Sequence, residues 1–185
     1  MVDNIIKYKF EDVNSKCFSV ITTPKCGTKF FDSQPCIIEK RKFNSSISFK
    51  NHIKGEDVYI VWRDPLEQLQ KAVWTEFGMC DTFDEIYDKI INEECFHFSR
   101  WTYKTIWFSI MGIKYYTYHL KDITNLFFAP NIIWAMVRTT KTKKLNKKDI
   151  KKYNQLRKLA LEDRKWLIKI LKGSIDNHKK EKSLI

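Results

Sequence analysis

The sequence has no apolar run long enough to cross a bilayer. Its longest uncharged stretch, around Asn125 to Val137, is interrupted by Pro130 and falls short of the roughly 20 residues that a spanning helix needs. Met1 to Lys16 mixes acids and bases without an apolar core, which argues against a secretory leader and predicts a cytoplasmic protein. The five cysteines, Cys17, Cys26, Cys36, Cys80 and Cys95, are odd in number and form no C-x-x-C pair. A chain of this size does not depend on disulfide staples, so they read as free thiols, with no zinc site expected. No internal repeat is apparent. The G-x-x-x-x-G-K-[ST] loop of nucleoside-triphosphate-binding proteins is also missing.

Positive charge, by contrast, is abundant: 34 Lys and Arg against 22 Asp and Glu give a net charge of +12. Such a balance attracts polyanions, whether nucleic acid, acidic polysaccharide or an anionic membrane face. Much of the excess lies in Lys141 to Lys158 and in the Lys179–Lys182 tail. A solvated basic helix and a loose tail account for it there, and no recognised nucleic-acid-binding module is visible. The length of 185 residues predicts one domain over 1–173, followed by a basic tail over 174–185.

Residues 1–16 read as an irregular lead-in or a short edge strand. Phe18 to Thr22 is the first clear strand, followed by a short helix from Thr28 that must end before Pro35. Cys36 to Ile38 reads as a short buried strand with Glu39 at its end, and Lys40 to Gly55 as a polar loop carrying His52. Val58 to Trp62 is a second strand, stopped by Arg63-Asp64-Pro65, where Asp64 can cap a helix with Pro65 at its first position. That helix runs to Phe77, and a second follows from Phe83 to Glu93 behind a Thr82 cap. An aromatic helix over Arg100 to Met111, a strand over Lys114 to Leu120 and a long helix from Lys147 to Lys172, capped by Asn146, complete the chain. Alternating strands and helices predict a three-layer α/β/α domain with a mainly parallel sheet and its ligand at the carboxyl ends of the strands.

Two stretches stand just past such ends. Val20 to Asp32 reads V-I-T-T-P-K-C-G-T-K-F-F-D: an apolar run, a turn with one glycine, then a helix start. Backbone N–H groups of such a turn converge on one spot suited to an anion, where Lys25 adds a mobile charge and Thr28 a hydroxyl. The wording P-K-C-G-T resembles the 5′-phosphosulfate loop of the sulfotransferases. Val58 to Trp74, V-Y-I-V-W-R-D-P-L-E-Q-L-Q-K-A-V-W, resembles the 3′-phosphate motif of the same family, a strand followed by R-[DN]-P-x-x-R-x-x-S-x-[YW]. By position Arg63 matches the first arginine and Pro65 the proline. Gln68 stands for the second arginine and Lys71 for the serine. A looser likeness covers Tyr116 to Leu126, where His119 takes a place at which an acid is common, and Leu145 to Leu171.

The resemblance implies a P-loop sulfotransferase-like fold and transfer of a sulfuryl group from 3′-phosphoadenosine 5′-phosphosulfate (PAPS) to a hydroxyl or amine, leaving 3′-phosphoadenosine 5′-phosphate (PAP). Lys25 would neutralise the leaving oxygen. Cys26, Gly27, Thr28 and Lys29 would hold the 5′-phosphate, and Arg63 and Lys71 the 3′-phosphate, with no metal required. His52 and Glu39, between the two motifs, are the candidate bases, with His52 preferred because its pKa class suits the task. His97, Arg100 and Trp101 read either as a pocket for acceptor or adenine or as a helix with an aromatic core face. Arg138 to Lys144 reads as a lid over the nucleotide or a solvated linker. The acceptor is unidentified, with an acidic glycan or small molecule compatible with the charge. Three alternatives stand beside the sulfotransferase: its fold kept as a binding module, a basic polyanion- or nucleic-acid-binding protein, and a small kinase using a variant loop, for which no magnesium-binding pair is evident.

Overall fold

The structure is a computed structural model and describes residues 4–11, 14–34, 36–43, 46–53, 55–122 and 144–175. Pro35, the Asn125–Val137 stretch, the expected lid short of Lys144, and residues 176–185 of the tail lie outside the described residues. Five strands, β1 (Ile5–Glu11), β2 (Cys17–Thr22), β3 (Ile37–Phe43), β4 (Asp57–Trp62) and β5 (Tyr115–His119), form one sheet in the order β3-β1-β2-β4-β5. Around it stand α1 (Thr28–Asp32), α2 (Ser46–Ile53), α3 (Pro65–Glu76), α4 (Phe83–Ile91), α5 (Thr102–Ile110) and α6 (Lys147–Gly173). Among the described residues no helix is long and apolar enough to cross a membrane.

The sheet is mixed rather than mainly parallel. β2–β4 and β4–β5 pair in parallel, while β1 runs antiparallel to both β2 and β3. The link from Glu11 to Cys17 is too short for a crossover, so consecutive strands there must turn back on one another. β1 is also no edge strand. Its alternation buries Ile6, Tyr8 and Phe10 with Phe30 and Phe31 of α1 in one cluster. Its other face sets Ile5 with Ile21, Ile60 and Tyr115 against Ile53 of α2, Tyr103 and Ile106 of α5, and Leu167 and Ile170 of α6. A third cluster joins Leu69 and Val73 of α3 to Phe83 and Ile86 of α4 and Leu156 and Ala160 of α6.

Two further expectations are corrected. Glu39 lies inside β3 rather than at the end of a short strand, and Lys40 to Phe43 continue that strand. His52 is on helix α2, not on a polar loop. β3 was disguised by Lys40, Arg41 and Lys42, which are exposed on an edge strand, where charge is well tolerated.

The lysines of β1 found a partner that the sequence did not reveal. Glu56 accepts from Ser19 Oγ and pairs with Lys7 Nζ at 3.3 Å and Lys9 Nζ at 3.0 Å. Lys7, only 4% exposed, also donates to the His52 carbonyl at 2.5 Å. Burial alone would raise the Glu56 pKa, but the hydrogen bonds from Ser19 and Lys9 and the charge of Lys7 outweigh it and hold the carboxyl below its ordinary value. A depressed carboxyl contributes stability that is present above its unfolded pKa and lost as pH falls through the folded one. Glu56→Gln leaves Lys7 buried without a counter-charge and is expected to cost about 3 kcal/mol at neutral pH. Urea titrations from neutral pH into acid check this: the variant's stability should fall less with acidity than the wild type's, and equal acid slopes would contradict it.

Candidate functional site

β2 and β4 are parallel neighbours, so the segments that follow them leave the sheet side by side. After Thr22 the chain turns tightly. The Cys26 N–H donates to the Thr23 carbonyl at 3.1 Å, and Thr22 Oγ1 donates to the Cys26 carbonyl at 2.7 Å. Two residues take left-handed backbone: Gly27 at φ 83° and Lys25 at φ 66°. Glycine accepts that conformation freely, whereas at a lysine it is strained. Cys26 is fully buried, its thiol 3.3 Å from Thr23 Oγ1 and 3.0 Å from Gln68 Nε2. Burial pushes its pKa up, so this thiol packs rather than reacts. Thr28 opens α1 half-buried, and Lys29 is exposed.

The two motifs meet directly. Arg63, just past β4, donates from Nη1 to the Lys25 carbonyl at 2.9 Å. Its side chain is 11% exposed, with Glu67 Oε2 at 3.7 Å from Nε, an ion-pair distance too long for a hydrogen bond. Nε is buried without a hydrogen-bond partner. The Arg63 backbone is clasped by Tyr103, whose hydroxyl donates to its carbonyl at 3.0 Å and accepts from its N–H at 3.3 Å. Asp64 caps α3 as its position predicts, accepting from the Leu66 N–H at 2.9 Å, and pairs with Arg164 at 2.9 Å.

Gln68 ties the loop to α3. Its Nε2 donates to Thr23 Oγ1 at 2.6 Å and lies 3.4 Å from the Pro24 carbonyl, besides its contact with the Cys26 thiol. The residue standing for the family's second arginine is thus used up inside the protein. Lys71 is half-buried, three residues beyond Gln68 and on an adjoining part of the same helix face.

Cations gather at this end of the sheet. Lys25's pKa is lowered, first by burial and then by the charges of Lys29 and Arg63, with Glu76 partly offsetting them. His119 ends β5, the next parallel strand, with its ring edge-on to Trp62 at 4.6 Å. Burial, Lys121 and Arg63 lower its pKa, which favours the neutral imidazole. Three successive parallel strands therefore deliver Lys25, Arg63 and His119 from their carboxyl ends.

The candidate bases lie on the β1–β3 side of the sheet. Arg41 donates from Nε to Glu39, and Glu39 sits opposite Lys9, which sits opposite Ser19. Three residues along and two strands across put Glu39 about 14 Å from the end of β2. His52 lies over β1 and β3, its Nε2 3.3 Å from Arg41 Nη1 and its ring 5.4 Å from Phe43. The expected cluster of His97, Arg100 and Trp101 divides. The Arg100 guanidinium stacks on Trp101 at 4.6 Å, whereas His97 turns to Glu76, Nδ1 to Oε1 2.8 Å. Glu76 is buried and also holds Lys89 at 2.8 Å and the Cys95 thiol at 3.4 Å. Sequence reading missed this group because Glu76 precedes Cys95 by nineteen residues and only the fold joins them. Tyr103 was missed as a clamp because it reads as one more aromatic on a helix's core face, and Gln68 because it was read only as a replacement for the family's second arginine.

Comparison with protein-family models, with curated proteins and with solved structures gave no match. The described residues define an α/β domain with a five-stranded mixed sheet. A strained, cation-bearing loop lies at the carboxyl ends of its parallel strands.

Proposed function

We propose that the protein is a sulfotransferase of P-loop sulfotransferase-like fold that transfers a sulfuryl group from PAPS to a hydroxyl or amine. The observation that carries this reading is the 2.9 Å hydrogen bond from Arg63 to the Lys25 carbonyl. It joins the two stretches that resemble the 5′-phosphosulfate and 3′-phosphate motifs at neighbouring parallel strand ends, where α/β folds take their ligands. The crowding of Lys25 with Lys29 and Arg63 supports an anionic ligand, since a phosphate or sulfate between them offsets both the burial and the repulsion that lower the Lys25 pKa.

In this reading the Cys26 to Lys29 backbone and the Thr28 hydroxyl hold the 5′-phosphate, and Arg63 and Lys71 hold the 3′-phosphate. The acceptor oxygen or nitrogen forms a bond to sulfur as the bond from sulfur to the phosphate oxygen breaks. Lys25 neutralises the charge that develops on that leaving oxygen, and PAP departs. The acceptor's proton passes to a base. His52 is preferred over Glu39, which lies farther back along the sheet; Arg41 is within reach of both. One observation favours a second reading, a binding module without turnover: Gln68 stands where the family has a cation and is spent on holding the loop.

The assay is PAP release from PAPS with p-nitrophenol or a desulfated acidic glycan as acceptor, for wild type, His52→Ala and Glu39→Ala. Acceptor-dependent release that falls about 100-fold in His52→Ala and persists in Glu39→Ala is the expected result. Bound PAP without transfer to any acceptor selects the binding module, and undiminished turnover in both variants removes both bases.

A further inference from the structure

Glu76, Cys95 and His97 present three different donor atoms to one point. His97 Nδ1 is 2.8 Å from Glu76 Oε1 and Cys95 Sγ is 3.4 Å from the same oxygen. All three donor atoms lie within 4.8 Å of one another. Tetrahedral zinc, with ligand distances of about 2.3 Å to sulfur and about 2.0–2.1 Å to nitrogen or oxygen, sets its donors about 3.3–3.5 Å apart. Widening the N···O separation by about half an ångström therefore opens a place for the ion. Glu76 and Cys95 are 1% and 2% exposed, and His97, at 20%, is the open side where a water completes the tetrahedron.

We propose that these three residues form a binding site for a zinc-class divalent ion, which cross-links the end of α3 to the connection between α4 and α5. Thiolate and imidazole donors exclude magnesium and calcium, which take oxygen, and suit zinc or cobalt. Carboxylate and thiolate together cancel the ion's two charges, so the buried site is neutral. The outer carboxylate oxygen keeps Lys89 at 2.8 Å, which orients the carboxylate as such outer partners do. Cys80 Sγ lies 3.8 Å from that outer oxygen and stands outside the donor set. The inference is independent of sulfuryl transfer, because no nucleotide takes part in it.

The test is titration of the full, chelator-dialysed chain with cobalt(II), followed by displacement with zinc. The expected result is one equivalent bound, with four-coordinate d–d bands and a thiolate-to-cobalt charge-transfer band that zinc abolishes. Cys95→Ser should lose the charge-transfer band. His97→Ala, at a partly exposed position, should weaken cobalt binding at least about 100-fold, since outer partners alone are worth up to that. Cys80→Ser should bind as wild type. Absence of stoichiometric cobalt uptake by the wild type overturns the proposal without recourse to any variant. Persistence of the charge-transfer band in Cys95→Ser, or its loss in Cys80→Ser, overturns the assigned ligands.

Discussion

Lys25→Gly is expected to raise the stability of the fold and, in the sulfotransferase reading, to cut sulfuryl transfer by about two to three orders of magnitude at once. Lys25 holds φ at 66°, a conformation that costs a residue with a side chain about 1–2 kcal/mol and glycine almost nothing. Burial beside Lys29 and Arg63 adds an electrostatic penalty. Glycine increases the entropy of the unfolded chain, which returns part of the gain, so a net stabilisation of about 0.5–1 kcal/mol is expected. The carbonyl that accepts from Arg63 belongs to the backbone and survives the change. Strain held at one residue that also carries the mobile cation is the pattern of a functional site. Removing the ammonium should lower turnover by about 100-fold to 1,000-fold, the scale of losing one donor to a developing charge. Urea unfolding and PAP release, measured on the same preparation, check both halves. A destabilised Lys25→Gly denies the strain, and normal turnover denies Lys25 its role.

Asp163 separates a hydrogen-bonding role from a charge. It lies on α6, 2% exposed, and its carboxylate accepts from the Tyr103 N–H at 3.1 Å and the Lys104 N–H at 3.3 Å. It thereby caps α5, whose own N-cap residue, Trp101, makes no side-chain capping bond. Asp163→Ala leaves two buried N–H groups unsatisfied and should cost about 3 kcal/mol. Because Tyr103 clasps Arg63, the loss reaches the site. Burial pushes the Asp163 pKa well above its ordinary value, with the Tyr103 and Lys104 N–H groups opposing it. The folded state then holds the proton more tightly than the unfolded one. Stability from this group is full below the ordinary aspartate range and declines as pH rises towards the folded pKa. Asp163→Asn keeps an acceptor without the charge, so it should gain on the wild type as pH rises above the ordinary aspartate range. Denaturant midpoints over that rise test the sign. A constant difference would show that the carboxylate is ionised throughout.

Elements whose signal is local were legible in the sequence. Asp64-Pro65 fixed the start of α3, Thr82 that of α4 and Asn146 that of α6, where the side chains of Asp64, Thr82 and Asn146 accept backbone N–H groups. The β2 and β4 strands, the turn between β2 and α1, and the adjacency of Lys25 and Arg63 followed from apolar runs and from the place of ligands in α/β folds. Features that depend on distant partners were not legible. β1 looked irregular because Lys7 and Lys9 are polar, yet Glu56 arrives from more than forty residues away to neutralise them. Asp163 sits inside the apolar stripe of α6, and nothing along that helix announces the N–H groups of α5. Glu76, Cys95 and His97 likewise meet only once the end of α3 and the turn after α4 are packed together.

The measurement that bears most directly on the central claim is thermal unfolding with PAP, ATP and AMP, for the wild type, Arg63→Lys and Lys71→Ala. A ligand bound only by the folded state adds about 2.7 kcal/mol at a hundred times its dissociation constant, a readily visible shift. The wild type should be stabilised by PAP far more than by ATP or AMP. Arg63→Lys, which loses the planar fork, and Lys71→Ala should each lose most of that shift relative to their own baselines. Equal shifts from all three nucleotides, or none from any, would contradict a 3′-phosphate site at Arg63 and with it the sulfotransferase reading.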